Sequence, residues 1–126
     1  MKILLDTHVL VWALSDPGKL PTALRGTIEA PSNIIYASAA SVWEIAIKAA
    51  LGKIDFPADD ISRAIAESGF LELPVTIVHA SAVRALPQHH RDPFDRMLAV
   101  QSAMEKLTLV SRDPVFSLYG ITTIWN

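Results

Sequence analysis

The sequence predicts an α/β sandwich on a mostly parallel central sheet, and three observations point to it. Short apolar runs of strand length alternate with longer stretches of helical periodicity. Turn and capping residues punctuate almost every change from one to the other. The chain has 126 residues and is 51% hydrophobic, enough for one substantial core without disulfide or metal staples.

The elements follow in order. Ile3–Leu5 is a first, buried strand, and Thr7 to about Leu14 is a helix stopped by Ser15-Asp16-Pro17-Gly18. Pro21 to about Glu29 forms a second helix and Asn33–Ala37 a second strand. SAASVWEIAIKAALGK is an Ala-rich helix with Ser38 or Ser41 as N-cap and Gly52 at its end. Val42, Ile45, Ala46 and Ala49 form its apolar stripe. Asp59 to about Ser68 is helical, with Ile61 and Ile65 four apart, and Gly69 stops it. Phe70–Leu73 is a short strand, and Thr76–Leu86 a helix closed by Pro87. Gln88–Arg91 is a polar loop. Asp92-Pro93 opens a long helix to about Lys106, Leu107–Val110 is a strand, Asp113-Pro114 starts a short helical turn, and Ile121–Trp125 is the last strand. The pair of helices within about 58–87 reads as an appendage on the sheet of a single domain, 1–126.

Composition excludes several classes. There is no cysteine, hence no disulfide, thiolate metal site or cysteine nucleophile. The opening MKILLDTHVL has one Lys before a short apolar patch that Asp6 interrupts, which predicts no signal peptide. No apolar run approaches a membrane span, so a cytoplasmic protein without membrane association is expected. The formal net charge of −2 does not advertise a nucleic-acid binder, although a local basic rim can still hold phosphates.

In a parallel sheet, strand carboxyl ends and the amino ends of the following helices share one edge, where ligands of open α/β sheets bind. Asp6 follows the first strand, Glu44 lies early in the next helix, Asp92 and Asp95 open the long helix, and Asp113 follows the fourth strand. Each acid has a structural explanation: Asp92 and Asp113 as N-caps before Pro, Asp95 in a helical first turn, and Ser41-x-x-Glu44 as a capping box. Asp6, at the end of a buried strand, resists that explanation most, because an unpaired buried charge costs several kcal/mol, roughly. Taken together, clustered carboxylates repel, at least one pKa rises, and a cation relieves the strain. Oxygen-only ligation favours Mg²⁺ or Mn²⁺ over zinc and suits metal-dependent phosphoryl chemistry.

LLDTHVLVW, SAASVWEIAIKAALGK, HHRDPFDRMLAVQSA and LVSRD occur in this order, and together they resemble the PIN-domain ribonucleases, specifically the VapC-like toxins of type II toxin–antitoxin pairs. The resemblance spans nearly the whole chain. It implies a PIN-like three-layer sandwich and an acidic tetrad of Asp6, Glu44, Asp95 and Asp113. Asp6 and Asp95 would be the main ligands of Mg²⁺ or Mn²⁺, with Glu44 and Asp113 completing the site partly through water. Asp92, one turn before Asp95, and the Ser111 hydroxyl would support it. His8 stands where many members carry Asn. The implied activity is endonucleolytic RNA cleavage by metal-activated water, leaving 5′-phosphate and 3′-hydroxyl ends. The implied partners are RNA, a second copy of the chain and a neutralising antitoxin.

Arg96 and Arg112 flank the acids as candidate RNA phosphate contacts, with Arg91 and Lys48 as weaker ones; Glu44-Lys48 also fits an ordinary i,i+4 pair. His89-His90 reads as polar loop and His79 as a partly exposed helix residue. Trp12, Trp43 and Trp125 read as core or interface fillers. Two rival readings are a small-molecule phosphohydrolase with a similar acidic rim and a non-catalytic interaction module whose acids only cap helices. Aspartyl-phosphate phosphatases place a second Asp two residues after the first, where this chain has His8.

Overall fold

Strand β1 (Lys2–Leu5) lies at the centre of a five-stranded sheet, flanked by β2 (Ile34–Ser38) and β4 (Thr108–Val110), with β3 (Leu71–Leu73) and β5 (Thr123–Ile124) outside them. The order is β3-β2-β1-β4-β5 and every pairing is parallel. This computed structural model describes residues 1–56 and 60–126. Among them no helix is long and apolar enough to cross a membrane.

Helices cover both faces, as buried parallel strands require. The alternation of β1 shows the two layers. Ile3 and Leu5 join Val9, Leu10, Leu24 and Ile45 on one face, while Leu4 joins Leu98, Ala99, Leu109 and Phe116 on the other. The helices are α1 (Thr7–Ser15), α2 (Thr22–Glu29), α3 (Ala39–Ala50), α4 (Ile61–Glu67), α5 (Ile77–Ala82) and α6 (Pro93–Met104). A 3-10 turn, Pro114–Tyr119, links β4 to β5. The chain builds β1, β2 and β3 outward in one direction, then places β4 on the opposite side of β1. The reversal creates a crevice at the carboxyl ends of β1 and β4.

Several boundaries differ from expectation. The expected helix start at Asp59 lies outside the described residues. The expected helix over Thr76–Leu86 is α5 followed by a 3-10 turn, Val83–Ala85. Helix α6 stops at Met104, two residues early, and the chain turns through Lys106 at φ 55° into β4. His79 is not partly exposed but 2% exposed. Its Nδ1 accepts from the Thr76 amide while the Thr76 hydroxyl accepts from the His79 amide, a reciprocal cap at the start of α5, and its Nε2 lies 2.8 Å from Glu105.

The capping box expected at Ser41-x-x-Glu44 is not a cap. Helix α3 begins one turn earlier, with Ser38 as N-cap, its Oγ accepting from the Ala40 amide at 3.0 Å. The Ser38 hydroxyl donates to Gln101 Oε1 of α6 at 2.6 Å, and buried Ser41 accepts from the Thr7 hydroxyl of α1 at 3.0 Å. These buried bonds tie the first turn of α3 to both neighbouring helices and set the direction in which Glu44 leaves it. Ser38→Ala removes a cap and orphans the Gln101 amide oxygen; urea unfolding should show a loss of about 2 kcal/mol with an unchanged m-value.

Candidate functional site

The crevice opens as a cavity of about 380 Å³ lined by Asp6, Glu44, Asp92, Asp95 and Asp113, together with Lys48, Arg112, His8 and Trp12. All five candidate carboxylates therefore reach one space, delivered by the end of β1, by α3, by the first turn of α6 and by the segment after β4.

Each is held differently. The Asp6 amide donates to the Val110 carbonyl at 3.0 Å, extending the β1–β4 ladder by one residue. One Asp6 carboxylate oxygen accepts from the buried Ser111 hydroxyl at 2.6 Å. Glu44 is 5% exposed, and its Oε2 accepts from Lys48 Nζ at 2.7 Å, the expected i,i+4 pair. Asp92 is the N-cap of α6, with Oδ1 accepting from the Phe94 and Asp95 amides at 2.8 and 3.1 Å. Asp113 Oδ1 accepts from the Val115 amide at 2.9 Å, and Asp113 Oδ2 lies 2.8 Å from His90 Nε2. Among the described residues no donor reaches the Asp95 carboxylate; its charge is met mainly by other negative charges.

Electrostatics follows from this unequal support. Burial pushes the Asp6 carboxyl above the ordinary carboxylate value, against the opposing Ser111 hydrogen bond. Asp95 is pushed up to about 7, first by burial, then by the charges of Asp92 and Asp6 and, more weakly, Glu44. Burial also pushes Asp113 up, but the hydrogen bonds from His90 and the Val115 amide outweigh it, so its carboxyl lies below the ordinary value. The Glu44 hydrogen bond holds the Lys48 ammonium above its usual value. A carboxylate-only set, with one member half-neutralised near neutral pH by burial and by the charges of its acidic neighbours, fits a hard divalent cation such as Mg²⁺ or Mn²⁺. Of the five, only the Asp95 carboxylate accepts no hydrogen bond from the described residues, while Asp6, Glu44 and Asp92 each accept through one oxygen.

The structure corrects the expectation for Arg96. Its side chain does not line the cavity; the residue is 7% exposed. Its Nη1 donates to the Pro87 and His90 carbonyls, and its Nη2 to those of Val83 and Leu86, at 3.0 to 3.3 Å. The Val83 carbonyl also accepts from the Leu86 amide, and the planar fork of one guanidinium serves all four carbonyls of this segment. Arg112 does line the cavity, its guanidinium 5.3 Å over the Trp12 ring, a cation–π contact. Trp43 is 64% exposed, edge-on to Phe94 at 5.1 Å, rather than a core filler.

Sequence reasoning missed His90. Its side chain is 9% exposed, packs against Phe116 and Tyr119, and offers a nitrogen that lies with carboxylate oxygens of Asp95 and Asp113 all within 4.8 Å of one another. Nothing in a polar His-His dipeptide signals this, since the contact to Asp113 spans 23 residues.

A family model described as the PIN domain matches residues 3–121. Among solved structures, VapBC2 from Rickettsia felis bound to a DNA fragment from its promoter aligns over 100% of both chains at 16% identity, with a TM-score of 0.72. DNA-bound VapBC from Salmonella typhimurium aligns over 98% of this chain and 97% of its own at 20% identity, TM-score 0.68. FitAcB from Neisseria gonorrhoeae aligns over 98% and 96% at 21% identity, TM-score 0.62. No curated protein sequence matches the chain.

Two stability measurements test this electrostatic account. Asp95 ionises near 7 in the folded protein and near 3.8 when unfolded, so its contribution is full below about pH 4 and is lost as pH rises to about 7. Metal-free Asp95→Asn should therefore melt above the unaltered protein at pH 8, by about 3 °C or more, and equal it near pH 4. Arg96→Met should lower the unfolding free energy by about 3 kcal/mol or more, with Arg96→Lys recovering only part.

Proposed function

The chain belongs to the PIN-domain family, and from that premise we propose that it is a Mg²⁺- or Mn²⁺-dependent endoribonuclease, the toxin of a toxin–antitoxin pair. The observation that carries the reading is the convergence of Asp6, Glu44, Asp92, Asp95 and Asp113 on one open cavity at the carboxyl edge of the sheet, with Asp95 titrating near 7. The side chains of Asp6, Glu44 and Asp95 make no cap bond, so helix capping does not account for their turning into the same cavity.

In this reading Asp6 and Asp95 would hold the ion, and Glu44 and Asp113 would complete the site partly through water. When bound, the ion supplies a water acidified enough to attack phosphorus at neutral pH and neutralises charge on the leaving oxygen. The protein does the rest. Ser111 occupies one Asp6 oxygen and leaves the other for the cavity. Asp92 aligns the first turn of α6 and so aims Asp95. Lys48 balances Glu44, which would otherwise be a buried lone charge. Arg112, seated on Trp12, meets the anionic oxygens of the RNA backbone.

The partners in this reading are RNA, a second copy of the chain and an antitoxin polypeptide that covers the cavity. The fold shared with VapBC and FitAcB supports the antitoxin. The whole chain acts as one cytoplasmic catalytic domain.

The test is cleavage of 5′-labelled single-stranded RNA by purified protein. Asp6→Ala and Asp95→Ala should each slow cleavage by at least about 100-fold with circular dichroism unchanged, and relieve growth arrest on expression. EDTA should stop the reaction, Mn²⁺ should restore it, and the product ends should be 5′-phosphate and 3′-hydroxyl. Cleavage that persists in EDTA, or at an unreduced rate in either variant, overturns the reading.

A further inference from the structure

We propose that His90 is a positioning residue for the reaction, held by Tyr119 in the tautomer that donates to Asp113, and that it is not itself a metal ligand. The proposal rests on reading the cavity as a metal site.

The hydrogen bonds define a chain of donors. The His90 backbone amide donates to Tyr119 Oη at 2.8 Å, and the same oxygen lies 3.0 Å from His90 Nδ1. The phenol accepts from that amide and still has its own hydrogen to give to an unprotonated Nδ1, which the opposite side of the ring decides. The opposite ring nitrogen, Nε2, lies 2.8 Å from Asp113 Oδ2. Two lone pairs cannot face each other at that distance, so Nε2 carries the proton and donates it to the carboxylate. Asp113 is then gripped at both oxygens, by Nε2 on Oδ2 and by the Val115 amide on Oδ1. A nitrogen that carries a proton offers no lone pair to a cation. The proximity of His90 to Asp95 and Asp113 therefore marks a support for the carboxylates rather than a nitrogen ligand.

The support is itself braced. Phe116 and Tyr119 pack on the imidazole at ring separations of 4.5 and 5.5 Å, and the Arg96 guanidinium holds the His90 carbonyl. Buried Arg96 thus serves the cavity from behind, by fixing the loop that carries His90. The same logic orients carboxylates around metals generally: a fixed partner behind the ligand sharpens its aim, and its removal typically weakens metal affinity about 10- to 100-fold.

Three variants test this: His90→Ala, His90→Gln, whose amide nitrogen can stand in for Nε2, and Tyr119→Phe. Two-bond ¹H–¹⁵N correlation spectra at pH 8 should show His90 protonated at Nε2 in the unaltered protein and a mixture of tautomers in Tyr119→Phe. Mn²⁺ affinity, read by electron paramagnetic resonance, should weaken about tenfold or more in His90→Ala, recover substantially in His90→Gln, and weaken less in Tyr119→Phe. His90→Ala should cost nothing further in an Asp113→Asn background, because the two act as one unit. A proton on Nδ1 in the unaltered protein, or equal Mn²⁺ affinity in the unaltered protein and His90→Ala, overturns the proposal. Should the unaltered protein bind no Mn²⁺, the metal reading falls and the role of His90 falls with it. Should Mn²⁺ bind but Asp95→Ala still cut RNA, only the catalytic reading falls.

Discussion

Carboxylates gathered in one cavity repel, and the fold must hold them there against that repulsion. The force comes from β1, whose Ile3, Leu4 and Leu5 are wholly buried between two apolar layers and paired to strands on both sides. Asp6 is the next residue, and its amide is still in the ladder. Strand packing therefore fixes where the first charge sits, and the ends of β2 and β4 bring α3 and the Ser111–Asp113 segment to the same edge. Because hydrophobic burial across the whole sheet opposes the strain, the site can carry a local electrostatic penalty that an isolated loop would relieve by opening.

The penalty is shared unevenly, and the unevenness separates the acids. Asp113 has two protein donors and stays ionised below the ordinary carboxylate range; Asp95 has none and titrates near 7. Glu44 has Lys48. Groups whose charge is already answered by the protein are suited to orient and support, while one whose charge is unanswered is suited to bind a cation. The assignment of Asp95 to the ion thus rests on its want of protein partners as much as on its position.

The sheet and the rim of acids were legible because both are encoded locally. Strand-length apolar runs, helix punctuation and acids immediately after strands or at helix starts are short-range signals, and parallel topology then carries Asp6, Glu44, Asp92, Asp95 and Asp113 to one edge without further information. What escaped is encoded at long range. Arg96 stands beside Asp95 in sequence, but the helix turns its guanidinium toward loop carbonyls six to thirteen residues earlier. Ser41-x-x-Glu44 has the letters of a capping box, yet Ser38 starts the helix because its hydroxyl also finds Gln101, 63 residues away. His79 and His90 both look like surface histidines until Glu105 and Asp113 arrive beside them.

The charge distribution also constrains the order of events in the proposed reaction. The cavity presents five carboxylates, one cation already paired with Glu44, and Arg112. RNA is a polyanion, and a cavity with this balance repels it. Arg112 is held above Trp12, and among the described residues it makes no ion pair with the acids. One guanidinium does not offset the remaining carboxylates, however, and in the proposed reading a divalent ion between Asp6 and Asp95 would remove most of the excess negative charge and so weaken the repulsion. Metal and RNA would then bind with positive coupling, each raising the affinity of the other by the same factor. In that reading, the acids that would repel RNA in the metal-free protein are the same groups that hold the cation on which its binding depends.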